Sequence, residues 1–325
     1  MRSEWQQDER ATYWKDLTRH TRYGLLHPRA TLNIQGIQAM PNQPFDPVQY
    51  KASQKQDWSS VAAGWKKWWQ TMERSARPAS DRLVELAELR PGHHVLDVAT
   101  GIGEPAVTAA RRVGPKGKVT ATDQAPLMLA IAKERAAELG LTNLEFREMD
   151  AEALDFPEQS FDVVLSRWGL MFLPDLPEAL RRMYRLLKKG GRLAAAVWGP
   201  PPKVPFISVA MGAVRQQLQA PPPPPGMLGP FSLADVTVLE QALKEAGFTG
   251  VRSEPLTLTF EWASAENYTN FQQDIAAPII AMLANESAER RAAVWQAVTE
   301  AAQQYAGSDG KVRMAGEAIC VVAQR

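Results

Sequence analysis

The spacing of apolar residues changes regularly along the middle of the chain. Between residues 93 and 198, short apolar runs alternate with segments whose apolar residues recur every three to four positions. Short runs are typical of buried strands, and the longer repeat is typical of amphipathic helices. The predicted strands cover 94–98, 119–122, 144–148, 161–165 and 192–198, and the predicted helices cover 105–113, 125–139 and 176–187. Such alternation gives parallel strands joined by right-handed crossovers, so the pattern predicts an α/β, doubly wound sheet.

Helices and strands are also predicted on either side of this region. Six apolar residues just before it share one helical face: Trp58, Val61, Trp65, Trp68, Trp69 and Met72. A second helix is predicted over 79–88. The elements predicted beyond residue 198 are a helix over 206–218, a helix that starts with a capping box at Thr237 and Glu240, a strand over 256–262, helical stretches around 268–283 and 294–301, and a strand over 317–323.

These elements together predict a seven-stranded, mainly parallel sheet whose last strand is antiparallel, with a helical cap. We expect residues 1–39 to be a poorly ordered part of an N-terminal extension, because their periodicity is weak, with a helical arm over the active site as the alternative. The predicted divisions are the extension 1–49, N-terminal helices that cover the site in 50–92, a Rossmann-like cofactor-binding core in 93–198, a proline-rich linker and lid helix in 199–230, and the second half of the sheet in 231–325 with a cap insertion at 263–314.

The end of the first predicted strand has the composition of a nucleotide-binding corner. Val95–Val98 is apolar apart from Asp97, and Gly101, Gly103 and Pro105 follow it. Glycine suits a turn with positive φ or a close approach of ligand to backbone, and proline suits the first position of a helix. The stretch therefore predicts a strand, a tight turn and a helix start that bind a nucleotide.

Acidic residues lie at or just after the ends of three consecutive predicted strands. Asp97 ends the first strand, Asp123 ends the second, and Asp150 follows the third. Ligands of doubly wound sheets bind at the carboxyl ends of the strands. We therefore expect three carboxylates to face one ligand that has several hydrogen-bond donors.

Two nucleotides compete for this site. The stretch 101–106 fits the G-x-G-x-x-G/A pattern of dinucleotide-binding folds, and Asp123 lies where an acid binds the ribose of NAD. Asp97, however, would repel the pyrophosphate of NAD. S-adenosylmethionine offers an ammonium group to Asp97, ribose hydroxyls to Asp123 and an adenine amino group to Asp150, and it carries no phosphate. The residues favour S-adenosylmethionine, with an NAD-dependent oxidoreductase as the alternative.

The chain resembles the class I S-adenosylmethionine-dependent methyltransferases, especially the ubiquinone/menaquinone-biosynthesis C-methyltransferase-like group. The resemblance is specific over 93–198 and looser over 50–325. The stretches that carry it are Val95–Ala106, Ala121–Asp123, Met149–Phe156, Ser160–Ser166 and Leu187–Leu193. The chain departs from the family at Ala99, where glycine is more frequent, and at Thr100, where a small residue or cysteine is usual.

The resemblance implies roles for individual residues and a reaction. The residues implied to bind the cofactor are Asp97, Ala99, Gly101 and Gly103 for the methionine part, Asp123 and Gln124 for the ribose, Met128, Asp150 and Ala151 for the adenine, and Ser166 near the methyl group. The residues predicted to bind the substrate are Arg167 and Trp168, which follow the fourth strand, and three aromatic residues of the N-terminal helices and the cap, Trp65, Tyr268 and Phe271. The reaction is direct transfer of the methyl group to oxygen, carbon or nitrogen of a small apolar or aromatic metabolite, which releases S-adenosylhomocysteine.

A general base is harder to assign. His93 and His94 open the first strand, roughly 15 Å from the ligand edge at ~3.3 Å per residue, and His20 and His27 lie in the extension. A phenol with a pKa near 10 would benefit from proton removal. The candidates for this role are Tyr268, Asp274 and Glu266. A non-catalytic, methyltransferase-like binding subunit is the second alternative function.

Composition narrows the expected partners and setting. The 37 basic and 36 acidic residues give a net charge of +1, which argues against a nucleic-acid partner. The single cysteine, Cys320, argues against a disulfide framework and fits a cytoplasmic setting. The sequence also lacks an apolar run near the ~18 residues that a membrane span needs, and it lacks a His and carboxylate cluster at metal-ligand spacing. We expect a small-molecule substrate, no metal and no stable membrane insertion.

Overall fold

One sheet of seven strands organises the structure, a computed structural model that describes residues 45–224 and 226–325. The strands are β1 His94–Val98, β2 Lys118–Asp123, β3 Leu144–Glu148, β4 Phe161–Arg167, β5 Leu187–Trp198, β6 Thr249–Trp262 and β7 Val312–Gln324. Their spatial order is 3-2-1-4-5-7-6, and β7 runs antiparallel to both of its neighbours. The other neighbouring pairs are parallel. This confirms the predicted doubly wound sheet with an antiparallel last strand.

Ten α-helices flank the sheet within the described residues. They are α1 Pro47–Ser60, α2 Ala62–Leu86, α3 Ala106–Val113, α4 Pro126–Glu138, α5 Leu176–Leu186, α6 Pro205–Leu218, α7 Val236–Glu245, α8 Ala265–Ile275, α9 Ala277–Leu283 and α10 Ala288–Gln303. The predictions for residues 1–39, with His20 and His27, lie outside the described residues, as does the rest of the predicted extension up to residue 44.

The tryptophan-rich segment forms one long helix, and the prediction of separate helices from Trp58 and over 79–88 was wrong. Helix α2 has 25 residues and runs through Pro78. A proline in a helix removes one N–H and costs several kcal/mol in an isolated helix. Here α2 packs against the sheet, and the side chains of Ala76, Ala79 and Leu83 on both sides of Pro78 are buried. This burial keeps the helix continuous through the proline.

Helix α1 has no counterpart in the predicted elements. It is capped by Asp46, whose carboxylate accepts hydrogen bonds from the backbone of Val48 and Gln49, and it ends at Ser60. None of its residues is buried. A helix that buries no apolar stripe leaves no periodic signal in the sequence.

Several predicted boundaries move in the structure. β4 continues to Arg167, so Ser166 and Arg167 belong to the strand. β6 and β7 are 14 and 13 residues long, about twice their predicted lengths. The predicted capping box is also wrong, because Asp235 caps α7 through the backbone of Thr237, while Glu240 accepts a hydrogen bond from Ser253.

A continuous aromatic core fills the second half of the molecule. The ring of Trp168 stacks on Trp198 at 4.1 Å, and Phe206 stacks on Phe260 at 4.0 Å. Helix α8 packs against α2, and α10 packs against α6 and α8. The segment that joins β6 to β7, which was predicted to be part of the cap, therefore packs against α2 and α6.

Candidate active site

A cavity with about 1170 Å³ of empty space, part of it open to solvent, lies at the carboxyl ends of β1, β2, β3 and β4. All its lining residues lie between 50 and 174. The last residues of β2 and β4 and the loops after the strands supply Ala99, Thr100, Gly101, Ile102, Glu104, Asp123, Gln124, Met149, Asp150, Ala151, Arg167, Trp168, Gly169, Phe172, Leu173 and Pro174. The helices supply Tyr50, Lys51, Gln54, Trp58, Trp65, Trp69, Met72, Glu73, Met128 and Arg135.

Asp97 supports the turn after β1 from behind. Its side chain is fully buried, and one carboxylate oxygen accepts hydrogen bonds from the Thr100 hydroxyl at 2.6 Å and from the Ala106 backbone at 2.9 Å. Its other oxygen has no hydrogen-bond partner among the described residues. Burial raises the pKa of Asp97 to about 7. The structure thus places Asp97 outside the cavity lining, in a role that joins the turn to the start of α3.

The turn itself has a left-handed backbone at three positions. Ala99, Gly101 and Gly103 have φ values of +58°, +57° and +104°. A Cβ added to Gly101 would meet open space, because this residue faces the cavity. A Cβ on Gly103 would lie 3.3 Å from the Ala132 side chain, so Gly103 permits close packing of α4 and does not line the cavity.

The Asp123 carboxylate lines the cavity at the end of β2. One oxygen accepts the backbone N–H of Gly101 at 2.8 Å, and the other accepts that of Ala125 at 2.9 Å. Burial raises the pKa of Asp123, and the backbone hydrogen bonds oppose that effect. Because each carboxylate oxygen has two acceptor sites, both oxygens can still accept a ligand hydroxyl. Gln124 lines the cavity beside it.

Helix α1 is tied to the loop after β3 by lysines. The Lys51 nitrogen lies 2.7 Å from an Asp150 oxygen and 2.8 Å from a Glu152 oxygen. Lys55 pairs with Glu148 at the end of β3. These ion pairs hold α1 over the end of the cavity that contains Asp150.

The end of β4 packs closely on the turn after β1. Ser166 is fully buried and donates a hydrogen bond to the Val98 carbonyl at 3.0 Å, so it does not line the cavity. Arg167 donates to the Ser80 hydroxyl at 2.7 Å. The Arg167 guanidinium also lies 4.8 Å from the ring of Trp168. Arg167 and Trp168 both line the cavity. They lie at the end of β4, whereas Asp150 follows β3, and these two strands are separated by β2 and β1 in the sheet.

The sequence patterns did not indicate four charged residues of the cavity: Lys51, described above, and Glu73, Glu104 and Arg135. One Arg135 nitrogen lies 3.9 Å from a Glu73 oxygen and 3.8 Å from a Glu104 oxygen. Another donates to the Ile102 carbonyl, and the guanidinium covers the ring of Trp69 at 4.7 Å. Two sequence positions could have identified the acids. Glu104 directly follows Gly103 in the glycine turn, and Glu73 lies one helical turn after Trp69, on the tryptophan-rich face of its helix.

Four predicted site residues do not line this cavity: Tyr268 and Phe271, predicted to bind the substrate, and Asp274 and Glu266, which with Tyr268 were the candidates for the general base. Tyr268 is fully buried and donates to the Phe206 carbonyl at 3.0 Å, and burial raises its pKa further above that of a free phenol. Phe271 packs edge-on against Trp68. Asp274 accepts from the Trp68 indole at 2.7 Å and pairs with Lys67, while Glu266 lies on the exposed first turn of α8.

The remaining predicted residues do come together. Trp65, Met128 and Ala151 line the same cavity as Asp123, Asp150 and Trp168. Within the part of the chain that the structure describes, no three His, Cys, Asp or Glu side chains are close enough to hold a metal ion. Over the same residues, no helix has the length and apolarity needed to cross a bilayer.

Comparisons with known proteins give a consistent family. Residues 95–191 match a family described as a methyltransferase domain. The nocamycin O-methyltransferase of Saccharothrix syringae is 34% identical over 199 residues, which are 58% of this chain and 71% of that protein.

Two further relatives match over a shorter part. The ubiquinone/menaquinone biosynthesis C-methyltransferase UbiE of Pseudoalteromonas translucida is 42% identical over 114 residues, which are 35% of this chain and 45% of that protein. The aklanonic acid methyltransferase DauC of a Streptomyces species is 42% identical over 117 residues, which are 36% of this chain and 53% of that protein. The chain thus spans about half the length of these two relatives.

Among solved structures, the YcgJ protein of Bacillus subtilis shares the fold. Its TM-score is 0.50 at 21% identity, and the match covers 77% of this chain and 98% of that one. At this identity the likeness concerns the fold alone.

Proposed function

Because the chain belongs to the class I S-adenosylmethionine-dependent methyltransferase family, we propose that it transfers a methyl group from S-adenosylmethionine to a small apolar or aromatic metabolite. The accepting atom is an oxygen, carbon or nitrogen, and S-adenosylhomocysteine is released. The observation that carries this proposal is a single cavity that joins the strand-end carboxylates Asp123 and Asp150 to a wall of tryptophans.

The donor set of the cavity suits this methyl donor. Asp123 has free acceptor sites for the ribose hydroxyls, and Gly101 leaves open space beside the turn. The cations that line the cavity already have protein partners: Lys51 pairs with Asp150, Arg135 with the Ile102 carbonyl, and Arg167 with Ser80. A nucleotide without phosphate therefore fits better than NAD, for which these cations would have to be released.

We assign the predicted contacts accordingly. The residues proposed to contact the methyl donor are Ala99 and Gly101 for the methionine part, Asp123 and Gln124 for the ribose, and Met128, Asp150 and Ala151 for the adenine. We propose that three residues outside the cavity lining support the site without touching the donor, because they fix the turn and the adjoining strand end: Asp97, Gly103 and Ser166. The bound donor supplies an electrophilic methyl group on its sulfonium.

The protein contributes alignment and exclusion of water. Holding two reactants in near-attack geometry is worth roughly 7–11 kcal/mol of the barrier. The aromatic side chains of Trp58, Trp65, Trp69 and Phe172 surround the space where the acceptor would lie. Their rings favour a flat, apolar acceptor, and two relatives are named as O- and C-methyltransferases.

We propose that α1 and α2 form the cap that selects the acceptor. They supply eight of the lining residues named above, whereas the insertion 263–314 and the segment 199–230 supply none of them. We propose this cap in place of the one expected from the sequence, in which those two segments also cover the site. The division of the chain into a core at 93–198 and flanking segments remains a proposal.

The expected setting follows from composition. A net charge of +1 supports a small molecule over a nucleic acid as partner, and one cysteine supports a reducing, cytoplasmic setting. We propose both.

Two measurements test the function. Titration calorimetry of the purified protein should show binding of S-adenosylhomocysteine and no binding of NAD. Incubation with a labelled methyl donor and a pooled metabolite extract, followed by mass spectrometry, should then give a methylated product. Absence of S-adenosylhomocysteine binding would contradict the proposal, and binding without turnover would favour the non-catalytic alternative.

A further inference from the structure

The Glu73 carboxylate lies in the cavity wall without a hydrogen-bond donor among the described residues. It forms ion pairs with Arg135 and Arg77, each at 3.9 Å, which is beyond hydrogen-bond distance. Its side chain is 17% exposed, and it lines the cavity. A carboxylate that is accessible, largely desolvated and not hydrogen-bonded is free to accept a proton from a ligand.

Charged groups from four elements face Glu73. Glu104 from the turn before α3 and burial raise the pKa of Glu73, whereas Arg167 from β4, Arg135 from α4 and Arg77 from α2 itself oppose that rise. A carboxylate is a better base when its pKa approaches the working pH, since proton transfer from a weak acid then becomes less unfavourable.

The position of Glu73 matches the acceptor end of the cavity. Arg135 connects it to Glu104 and to the Ile102 carbonyl, both in the turn assigned to the methionine part. Trp69 and Met72, its neighbours on α2, line the same wall. The adenine end, which Lys51 closes, lies at the other end of the cavity.

The charges around Glu73 also indicate what kind of acceptor fits. Arg135 and Arg167 both influence this carboxylate. For a cationic ammonium substrate, the attraction of Glu73 and Glu104 would therefore be offset by the repulsion of the two guanidinium groups. A neutral acceptor that becomes anionic on losing its proton would be stabilised by the same two groups.

Resting on the proposed function, we propose that Glu73 is the general base of the reaction and that the acceptor is a phenol, an enol or an acidic carbon. The acceptor proton passes to a Glu73 oxygen as the electron pair of the nucleophilic atom forms the new bond to the methyl carbon. The bond from that carbon to sulfur breaks, and its electrons leave the sulfur as a neutral thioether. Glu73 afterwards releases the proton to solvent.

Glu73→Gln and Glu73→Asp test this assignment, with Glu134→Gln as the matched control, because Glu134 is an exposed acid that pairs with Lys66 outside the cavity. The methyl acceptors are a simple phenol, a 1,3-diketone and a tertiary amine, with labelled S-adenosylmethionine as donor. Calorimetry with S-adenosylhomocysteine first establishes that each variant is folded and binds the donor product.

We expect Glu73→Gln to lower kcat by about 10²–10⁴-fold while S-adenosylhomocysteine binding changes less than threefold. The acidic limb of the wild-type pH profile should disappear in this variant and persist in Glu73→Asp. Phenol methylation by Glu73→Gln should recover as the pH approaches 10, because the phenolate needs no base. A structural role for Glu73 would not restore activity in this way.

Three results would overturn the assignment. These are an unchanged kcat in Glu73→Gln, a loss of S-adenosylhomocysteine affinity with an unchanged pH profile, and turnover of the tertiary amine alone. The second result would make Glu73 a donor-binding residue. Failure of the wild-type protein to bind S-adenosylhomocysteine would instead contradict the proposed function itself, so the two failures are distinguishable.

Discussion

The side-chain nitrogen of Lys51 lies 2.7 Å from a carboxylate oxygen of Asp150, and this ion pair joins helix α1 to the loop after β3. Both side chains are partly exposed, at 27% and 30%. Because α1 buries none of its residues, this pair and the Lys51 contact with Glu152 are major attachments of the helix. Because dissolved salt screens partly exposed charges, the strength of this attachment should fall as the ionic strength rises.

Lys51→Met should weaken S-adenosylhomocysteine binding about three- to tenfold, which corresponds to roughly 1 kcal/mol for a partly exposed ion pair. The reason is that α1 then covers the adenine end less firmly. Calorimetry at low and high salt should show that wild-type affinity falls with salt more steeply than the affinity of the variant. Lys66→Met is the control, since its pair with Glu134 lies outside the cavity; an equal loss there would contradict the explanation.

Asp123→Asn should lower S-adenosylhomocysteine affinity by at least about tenfold. Both Asp123 oxygens accept backbone N–H groups, and the amide nitrogen of asparagine would face one of these donors, at a cost of about 1–3 kcal/mol. Asp162→Asn is a matched control, because Asp162 also accepts a backbone N–H, from His94, outside the cavity. Both variants should melt at lower temperature, but only Asp123→Asn should lose affinity in calorimetry.

Stability should depend on pH through Asp97. Its folded-state pKa of about 7 is higher than the value near 3.9 expected in the unfolded chain, so the folded state binds the proton more tightly. The stabilising contribution of this proton is complete below about pH 4 and is lost as the pH rises through 7.

Asp97→Asn should therefore gain stability relative to the wild type as the pH rises from 5 to 8. The difference in the free energy of unfolding between the two proteins should change by at most about 1.4 kcal/mol per pH unit, the value for one proton. Urea unfolding at several pH values measures the difference between the two proteins, in which the other titrating groups cancel. A difference that stays constant with pH would show that Asp97 has no raised pKa.

Gly64→Ala should destabilise the protein by about 1–3 kcal/mol. A Cβ at this position in α2 would lie 2.0 Å from the backbone oxygen of Asp274 in α8, so the two helices would have to separate. Gly212→Ala is the control, because it lies within α6 with open space around its added Cβ and should stabilise by about 0.5–1 kcal/mol. Thermal unfolding should shift in opposite directions for the two variants.

The strand ends of the sheet were predictable from sequence. β1 and β3 have the predicted bounds, and Asp123 and Asp150 line one cavity as expected from their places after parallel strands. These features are encoded locally, by the apolar residues of β1, by the alternation of Leu144 and Phe146 with charged residues in β3, and by the flanking turns. Fold class and the cofactor end of the site follow from the same local signals.

The part of the cavity wall that the helices supply could not be predicted in the same way. α1 has no apolar stripe, and Glu73 and Arg135 are charged residues on helices, where solvent exposure is the ordinary expectation. Their positions depend on how α2 packs against α4, a tertiary contact between segments far apart in the chain. Tyr268 and Phe271 show the converse case, since a periodic aromatic face fits a core as well as a substrate pocket, and here it forms core.

The place of β7 between β5 and β6 affects the order in which the chain can fold. Among the strands that the structure describes, β6 pairs with β7 alone, and residues 249–262 are synthesised well before residues 312–324. Until β7 has left the ribosome, β6 has no neighbouring strand, and the apolar side chains of Phe260 and Trp262 lack part of their cover. This half of the molecule is therefore the one that would need protection from aggregation in a nascent chain.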